Sequence, residues 1–230
     1  MLKNQNPNPL QEKNVKEYFE EIAMTFDSYY KLEAETGGLI GKLAHIVFRK
    51  PAMACRYQAT FHLLGKLPGK HVLDVGCGSG IYSLEIVKRG GSATGLDISS
   101  AMIDLANQNA QKLEIKDRCR FVLQDLKDFE PGVQAFHACI AIGFFDYIAP
   151  AQQAEVFARL LQLAKQDVII TFPKKWVPAT FFRKIFFLKK KLDVYFFTKP
   201  EVMKLVGPGI QETTFYDCGS VWTVRFRKSL

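Results

Sequence analysis

The chain lacks the paired cysteines and the long apolar runs that mark several protein classes. Its 230 residues contain five cysteines, an odd number, and no two of them form a CxxC pair. We therefore expect neither a disulfide framework nor a metal site, and we expect a reducing, cytoplasmic environment. A stretch of about 18 consecutive apolar residues, which a membrane-spanning helix needs, is absent. The segment Leu2–Leu10 has no apolar core of the kind that signal peptides carry.

Acidic residues are missing from the segment Lys174–Lys191, which contains seven lysines and arginines and accounts for most of the net charge of +8. A local basic patch indicates a partner more strongly than evenly spread charge does. On a helical wheel one broad face is apolar and most of the other is basic. The apolar face comprises Phe181, Phe182, Ile185, Phe186 and Leu188, and the basic face includes Arg183, Lys184, Lys190 and Lys191. Three interpretations stay open: a helix packed on the core with a solvated basic face, a helix at a membrane surface, or a nucleic-acid contact.

The first 68 residues are predicted to form a helical arm or cap. After a polar, loose start over Met1–Lys13, apolar residues recur every three or four positions over 14–35, which is typical of one helical face. Helical spacing continues to Pro51, and a further helix is predicted from about Ala52 to Leu64. Residues 69–230 then form the main domain, with 174–191 as a basic, aromatic insertion.

Short apolar strands alternate with helical patterns from residue 69 onwards. This alternation predicts βαβ units, and hence an α/β protein with a mainly parallel, Rossmann-like sheet and helices on both of its faces. Two further strands are expected near Ile210–Tyr216 and Val221–Phe226. Because no helix separates them, they predict an antiparallel edge.

The segment Val72–Gly80, which reads VLDVGCGSG, joins a predicted strand to a predicted helix. Glycines at alternate positions allow a tight turn and a close approach of the backbone to a ligand. The dinucleotide fingerprint GxGxxG has its third glycine at the position that Ile81 occupies here. The spacing of the glycines therefore argues against a nicotinamide cofactor. Asp74 is also badly placed beside a phosphate, whereas a cofactor with an ammonium group would accept a nearby carboxylate.

Acidic residues follow the next two predicted strands. Asp97 ends the second strand and can accept hydrogen bonds from both hydroxyls of a ribose. Asp125 follows the third strand and can accept one from an adenine amino group. Neighbouring parallel strands end at the same edge of a sheet, so one nucleoside could contact both residues.

The pair of motifs VLDVGCGSG and GLDIS resembles that of class I S-adenosylmethionine-dependent methyltransferases, over roughly Gly69–Phe172. The resemblance implies a seven-stranded sheet whose last strand is antiparallel. It also implies a contact set for S-adenosylmethionine. By position, the methionine end would be lined by Asp74, Gly76, Cys77, Gly78 and Gly80 and flanked by Ala141–Phe144, including Gly143 and Phe144. Asp97 would hold the ribose, Ile98 the adenine face, and Asp125 and Leu126 the adenine edge.

Four residues are candidates for acceptor contact or for a general base. Asp146 and Tyr147 follow the fourth strand, while Tyr30 and His45 lie in the helical arm that would close over the cofactor. The alternative is structural: Phe144 and Phe145 wall the pocket, and Asp146 caps a turn. The Asp/Asn-Pro-Pro-aromatic motif of many base N-methyltransferases is absent here.

We therefore predict methyl transfer to a small, apolar molecule, with an oxygen atom as the expected acceptor. The insertion after the fifth strand loosely resembles those of quinone and magnesium-porphyrin biosynthesis methyltransferases. Two alternatives stay open: a nucleic-acid methyltransferase that uses 174–191, and a protein that binds the cofactor without catalysis. The predicted location is the cytoplasm, with peripheral membrane contact through 174–191.

Overall fold

A seven-stranded sheet forms the centre of the computed structural model, which describes residues 9–30 and 50–229. The strands are β1 His71–Val75, β2 Ser92–Asp97, β3 Cys119–Leu123, β4 Phe136–Ala141, β5 Ala164–Pro173, β6 Ile210–Asp217 and β7 Val221–Lys228. The helices are α1 Pro9–Tyr30, α2 Lys50–Leu64, α3 Ile81–Lys88, α4 Ser100–Lys112, α5 Pro150–Leu163, α6 Pro178–Lys189 and α7 Lys199–Met203. The predicted helical continuation over 31–49 lies outside the described residues, and the helix predicted from about Ala52 begins at Lys50.

The spatial order of the strands is β3-β2-β1-β4-β5-β7-β6. Strands β1 to β5 pair in parallel, whereas β7 runs antiparallel to both β5 and β6. The predicted mixed sheet with an antiparallel last strand is therefore confirmed.

Helices cover both faces of the sheet because the central strands are apolar on both sides. Leu73 of β1 belongs to a core cluster with Phe157 and Leu160 of α5. Its neighbour Val72 faces the other way and packs with Phe61 of α2 and Ile86 of α3. Helix α2 thus shares a core with the sheet, while the domain boundary predicted at residue 68 stays a prediction.

The loose start predicted over Met1–Lys13 is wrong for residues 9–13, which begin helix α1. Proline is well suited to the first turn of a helix, because no intrahelical hydrogen bond needs its missing N–H. Gln11 fixes this end of the helix: its Nε2 donates to the backbone oxygen of Asp193 at 2.8 Å. The long-range contact explains why local composition was misleading.

The expectation that no disulfide forms is also wrong. Cys55 of α2 is bonded to Cys218, which lies in the turn between β6 and β7, 163 positions later in the sequence. The remaining cysteines, Cys77, Cys119 and Cys139, are free and buried. A pair so far apart in the sequence leaves no local spacing signal.

The described residues also bear on membrane insertion and on metal binding. Within residues 9–30 and 50–229, no helix combines the length and apolarity that a membrane crossing requires. The same ranges contain no cluster of three or more His, Cys, Asp or Glu side chains able to hold a metal ion.

Candidate cofactor and acceptor site

The topology creates a crevice at the carboxyl ends of β1 and β4. The chain passes from β1 outward to β2 and β3, then returns to β4 on the other side of β1. Open α/β sheets bind ligands where the strand order reverses in this way. The glycine loop that follows β1 and the loop that follows β4 both leave the sheet at this point.

The glycine loop has a backbone that other residues adopt poorly. Gly76 has a φ of +67°, and a Cβ built there would lie 2.8 Å from a ring carbon of Phe144. Gly78 and Gly80 also have positive φ values. At Gly80 a Cβ would meet the ring of Phe121 at 2.6 Å, so this glycine lets α3 approach β3 closely. Glycine is therefore required at Gly76 and Gly80 by sterics as well as by backbone conformation.

Asp97 connects the glycine loop to the end of β2. One carboxylate oxygen accepts from the Gly78 N–H at 2.9 Å and the other from the Ser99 N–H at 3.0 Å. Burial raises the pKa of Asp97, although these backbone donors act in the opposite direction. A carboxylate oxygen can accept more than one hydrogen bond. Each oxygen therefore keeps acceptor capacity for a ribose hydroxyl, and the arrangement fits the predicted nucleoside.

The end of β3 is fixed to the same region. The Gln124 N–H donates to the backbone oxygen of Asp97 at 3.0 Å. Asp125 accepts from the Lys127 N–H at 2.9 Å and forms an ion pair with its ammonium group at 3.2 Å. Leu126 is buried in the core and Ile98 is half-buried beside Asp97. The structure thus brings the predicted ribose and adenine residues together; their contacts with a cofactor stay predictions.

Three buried residues belong to the glycine loop or lie directly before it. Asp74 is 1% exposed and accepts from Ser83 Oγ at 2.7 Å, and burial is the main cause that raises its pKa to about 7. Cys77 is buried, and its sulfur packs against the Cα of Gly95. Ser79 is fully buried, and its Oγ has no hydrogen-bond partner among the described residues. A buried polar atom of this kind normally has a partner, which supports the fit of a polar cofactor at this loop.

The loop after β4 forms the opposite wall of the crevice. Gly143 donates its N–H to Thr171 Oγ1 at 2.7 Å, which fixes the loop to β5. Phe144 packs against Gly76, so the two loops touch across the crevice. The predicted wall residues therefore lie together, as the motif positions suggested.

Asp146 and Tyr147 are held by a partner that the sequence pattern did not reveal. Asp146 is 3% exposed and forms an ion pair with Arg183 of α6. Arg183 also hydrogen-bonds the Tyr147 hydroxyl, and burial raises the pKa of that tyrosine above its ordinary value. The helical wheel placed Arg183 on the basic face, and in the structure its side chain is half-buried and paired with Asp146. The role of Asp146 and Tyr147 in acceptor contact stays a prediction.

Helix α1 closes one side of the crevice. Glu20 accepts from the backbone N–H groups of Ser100 and Ala101 at 2.8 and 3.0 Å, at the N-terminus of α4. Phe19 meets Tyr147 edge to face, with ring centroids 5.5 Å apart. The helix therefore bridges the ribose side and the acceptor side. The predicted contacts of His45 and of the Tyr30 side chain fall outside the described part of the chain.

Comparison with known proteins agrees with this geometry. Residues 72–167 match the model of a family described as "Methyltransferase domain". A ubiquinone biosynthesis O-methyltransferase of Coxiella burnetii is 36% identical over 89 residues, which are 38% of this chain and 36% of that protein. The magnesium-protoporphyrin O-methyltransferase of Synechocystis is 27% identical over 165 residues, which are 66% of this chain and 70% of the relative.

The crystal structure of magnesium protoporphyrin IX methyltransferase from Synechocystis with bound SAH is similar in fold. Its TM-score is 0.70 at 22% identity, with 95% of this chain and all of that chain covered. The chain spans 36% to 48% of the length of the ubiquinone-type relatives that it matches. The strand order, the glycine loop and the matched family model nevertheless agree. Residues 72–167 therefore match a methyltransferase domain, and the strand order is that of the seven-stranded mixed sheet that the two motifs predict.

Proposed function

We propose that the protein transfers a methyl group from S-adenosylmethionine to an oxygen atom of a small, apolar molecule. The observation that carries this proposal is the carboxylate of Asp97, which is fixed by the glycine loop at the sheet's switch point and keeps acceptor capacity for a ribose. The names of two similar proteins, both O-methyltransferases, support oxygen as the acceptor atom.

The chemistry demands little from fixed catalytic groups. The cofactor supplies a methyl group that is already activated for displacement, so the protein chiefly aligns the reactants and excludes water. Phe144 and the α1 side chain Phe19 provide apolar cover on the acceptor side. Burial raises the pKa of Tyr147 further above neutral pH, so this residue keeps its proton. Asp146 is paired with Arg183. Within the described part of the chain neither residue is therefore free to act as a base, and this favours a carboxyl acceptor, which ionises by itself, over a neutral hydroxyl.

The first test is calorimetric titration with S-adenosylmethionine and S-adenosylhomocysteine, with NAD as the control ligand. Micromolar binding of both adenosyl compounds, without binding of NAD, is the expected result. Binding of NAD alone would overturn the proposal. Single-turnover assays with labelled cofactor and with carboxylated or hydroxylated apolar acceptors then test the reaction, and binding without any turnover would favour the non-catalytic alternative.

Peripheral membrane contact through 174–191 is the second part of the proposal. The face that a core-packed helix would bury is exposed instead at Phe181, which is 65% exposed. Trp176, just before the helix, is 83% exposed. Ile185, Phe186 and Leu188 are also exposed, whereas Phe187 turns inward. Exposed lysines lie beside these residues, including Lys175, Lys184 and Lys190. Aromatic groups flanked by lysines complement the apolar boundary and the negative charge of an anionic leaflet.

Co-sedimentation with vesicles tests this contact. We expect binding to vesicles that contain phosphatidylserine or phosphatidylglycerol, weaker binding to neutral vesicles, and release by salt. The double variant F181S/L188S should lose vesicle binding, while the control Leu113→Ser, at an exposed position on the other side of the domain, should keep it. Retention of nucleic acid with no vesicle binding would instead support the nucleic-acid alternative.

A further inference from the structure

Arg183 of α6 brings a guanidinium group to the loop after β4. It forms an ion pair with Asp146 and donates a hydrogen bond to the Tyr147 hydroxyl. The pair is asymmetric, because the Arg183 side chain is 31% exposed and that of Asp146 only 4%. The carboxylate therefore lies behind the guanidinium group, and the accessible side of the pair is the cation.

Aromatic rings from three elements surround this cation. The ring of Phe187 lies 5.6 Å from the guanidinium carbon and meets the rings of Tyr18 and Tyr147 edge to face. Phe19, the next residue of α1, also meets Tyr147. Since α1 caps the N-terminus of α4 through Glu20, these rings lie at the edge of the sheet where the crevice opens. Apolar walls of this kind exclude water and strengthen the attraction between a cation and an anionic ligand.

The guanidinium group keeps donors for such a ligand. Arginine has five N–H groups in a planar fork. Asp146 accepts from Nη2 and the Tyr147 hydroxyl from one further N–H group. These two contacts fix the orientation of the fork without using all of its donors. A carboxylate is the group that a guanidinium fork binds best, because two N–H groups can donate to it in parallel.

We propose that Arg183 binds the carboxylate of the methyl acceptor, while the surrounding aromatic rings hold the apolar body of that molecule. The inference rests on the proposed function and deepens it, because it narrows the acceptor to an amphipathic acid. Transfer to a carboxylate moves no proton. The methyl group passes from sulfur to oxygen, the electron pair of the broken C–S bond stays on sulfur, and the opposite charges of sulfonium and carboxylate cancel. Arg183 thus acts by binding and orienting the acceptor.

The variants must separate acceptor binding from stability, because Arg183 also compensates the buried charge of Asp146. Arg183→Lys keeps the positive charge and loses the planar fork. The double variant R183Q/D146N replaces both charges with amides, so no buried charge is left unpaired. Lys184→Ala removes the adjacent exposed charge and is the matched control for general attraction to the basic face. A urea unfolding curve accompanies each variant.

Calorimetric titration in the presence of S-adenosylhomocysteine tests the proposal with three acids: cinnamate, pyrenebutyrate and palmitate. The primary amide of each acid is the uncharged reference ligand. We expect the wild type to bind at least one acid more tightly than its amide. R183Q/D146N should weaken binding of that acid by about 10- to 100-fold, since hydrogen bonds between charged groups are lost. Binding of the amide should change by less than about twofold, Arg183→Lys should fall between, and Lys184→Ala should match the wild type.

The outcomes separate this inference from the proposed function. Three results would overturn the inference: no binding of any of the three acids, equal losses for acid and amide, or an equal loss in Lys184→Ala. If the double variant is unfolded, Arg183→Lys decides, and an unchanged affinity for the acid overturns the inference. In each case the wild type would still bind S-adenosylhomocysteine. Failure of the wild type to bind that compound would instead overturn the proposed function itself.

Discussion

Replacement of Asp97 by asparagine is the most direct perturbation of the cofactor site. The side chain keeps its shape but loses its charge and one of its acceptor atoms. In the structure the two oxygens face different donors, the N–H of Gly78 at 2.9 Å and the N–H of Ser99 at 3.0 Å. Asparagine offers one oxygen and one NH₂ group, so one of these backbone donors must face another donor. The ribose also loses one of its two acceptors.

The size of the effect follows from this count. A hydrogen bond to a charged group contributes about 1.5–3 kcal/mol, and roughly one such bond to the ribose is removed. At about 1.4 kcal/mol for each factor of ten, a central loss of about 2 kcal/mol weakens binding about 30-fold. Asp97→Ala, which removes both acceptors, should weaken binding at least as much.

The assay is calorimetric titration with S-adenosylhomocysteine, accompanied by a urea unfolding curve for each variant. Asp117→Asn is the control, because it makes the same chemical change at an exposed residue after α4. If Asp97→Asn binds within about twofold of the wild type, Asp97 does not hold the ribose and the reasoning fails. A variant that binds poorly and also unfolds much earlier would indicate that the hydrogen bonds to the loop, and not those to the ribose, account for the loss.

Two further predictions concern buried charges. The folded protein holds the proton of Asp74 more tightly than the unfolded chain, so the free energy of unfolding should fall as pH rises from 3.8 towards about 7. Asp74→Asn should flatten this slope in urea titrations across that pH range, and an unchanged slope would contradict the shift. Arg183→Ala leaves the buried Asp146 without its cation and should lower the free energy of unfolding by about 2 kcal/mol or more. The control Lys184→Ala should have almost no effect, and equal effects of the two variants would disprove the pairing.

The cofactor site was largely predictable because its signals are local. The residues that line the crevice stand at the end of a strand or directly after it, as Asp97 does at the end of β2. The glycines in the loop after β1 are required by their own backbone conformation and close contacts. The first two motifs therefore located most of the residues that meet at the crevice without any knowledge of tertiary contacts, and the contacts of these residues with a cofactor stay predictions.

The acceptor side was less predictable because both faces of α6 are compatible with burial. A helical wheel shows an apolar face and a basic face, and packing normally hides the apolar one. Here the helix is oriented by Arg183, which reaches inward to Asp146, and by the buried Phe187. The larger apolar face is consequently exposed.

The bond between Cys55 and Cys218 gives the last prediction, and it tests the fold. A link across 163 positions closes a very long loop in the unfolded chain. The chain-entropy model assigns such a loop about 5 kcal/mol, whereas measured disulfides more often contribute about 2–4 kcal/mol. Reduction, or Cys55→Ser, should therefore lower the free energy of unfolding by an amount in this lower range.

Two measurements decide the point. In denaturant without reductant, three of the five cysteines should react as free thiols, namely Cys77, Cys119 and Cys139. Reductant should lower the urea midpoint of the wild type but not that of Cys55→Ser or Cys218→Ser. Five reactive thiols would show that the bond does not form, and a wild-type midpoint that reductant leaves unchanged would show that the bond does not stabilise the fold.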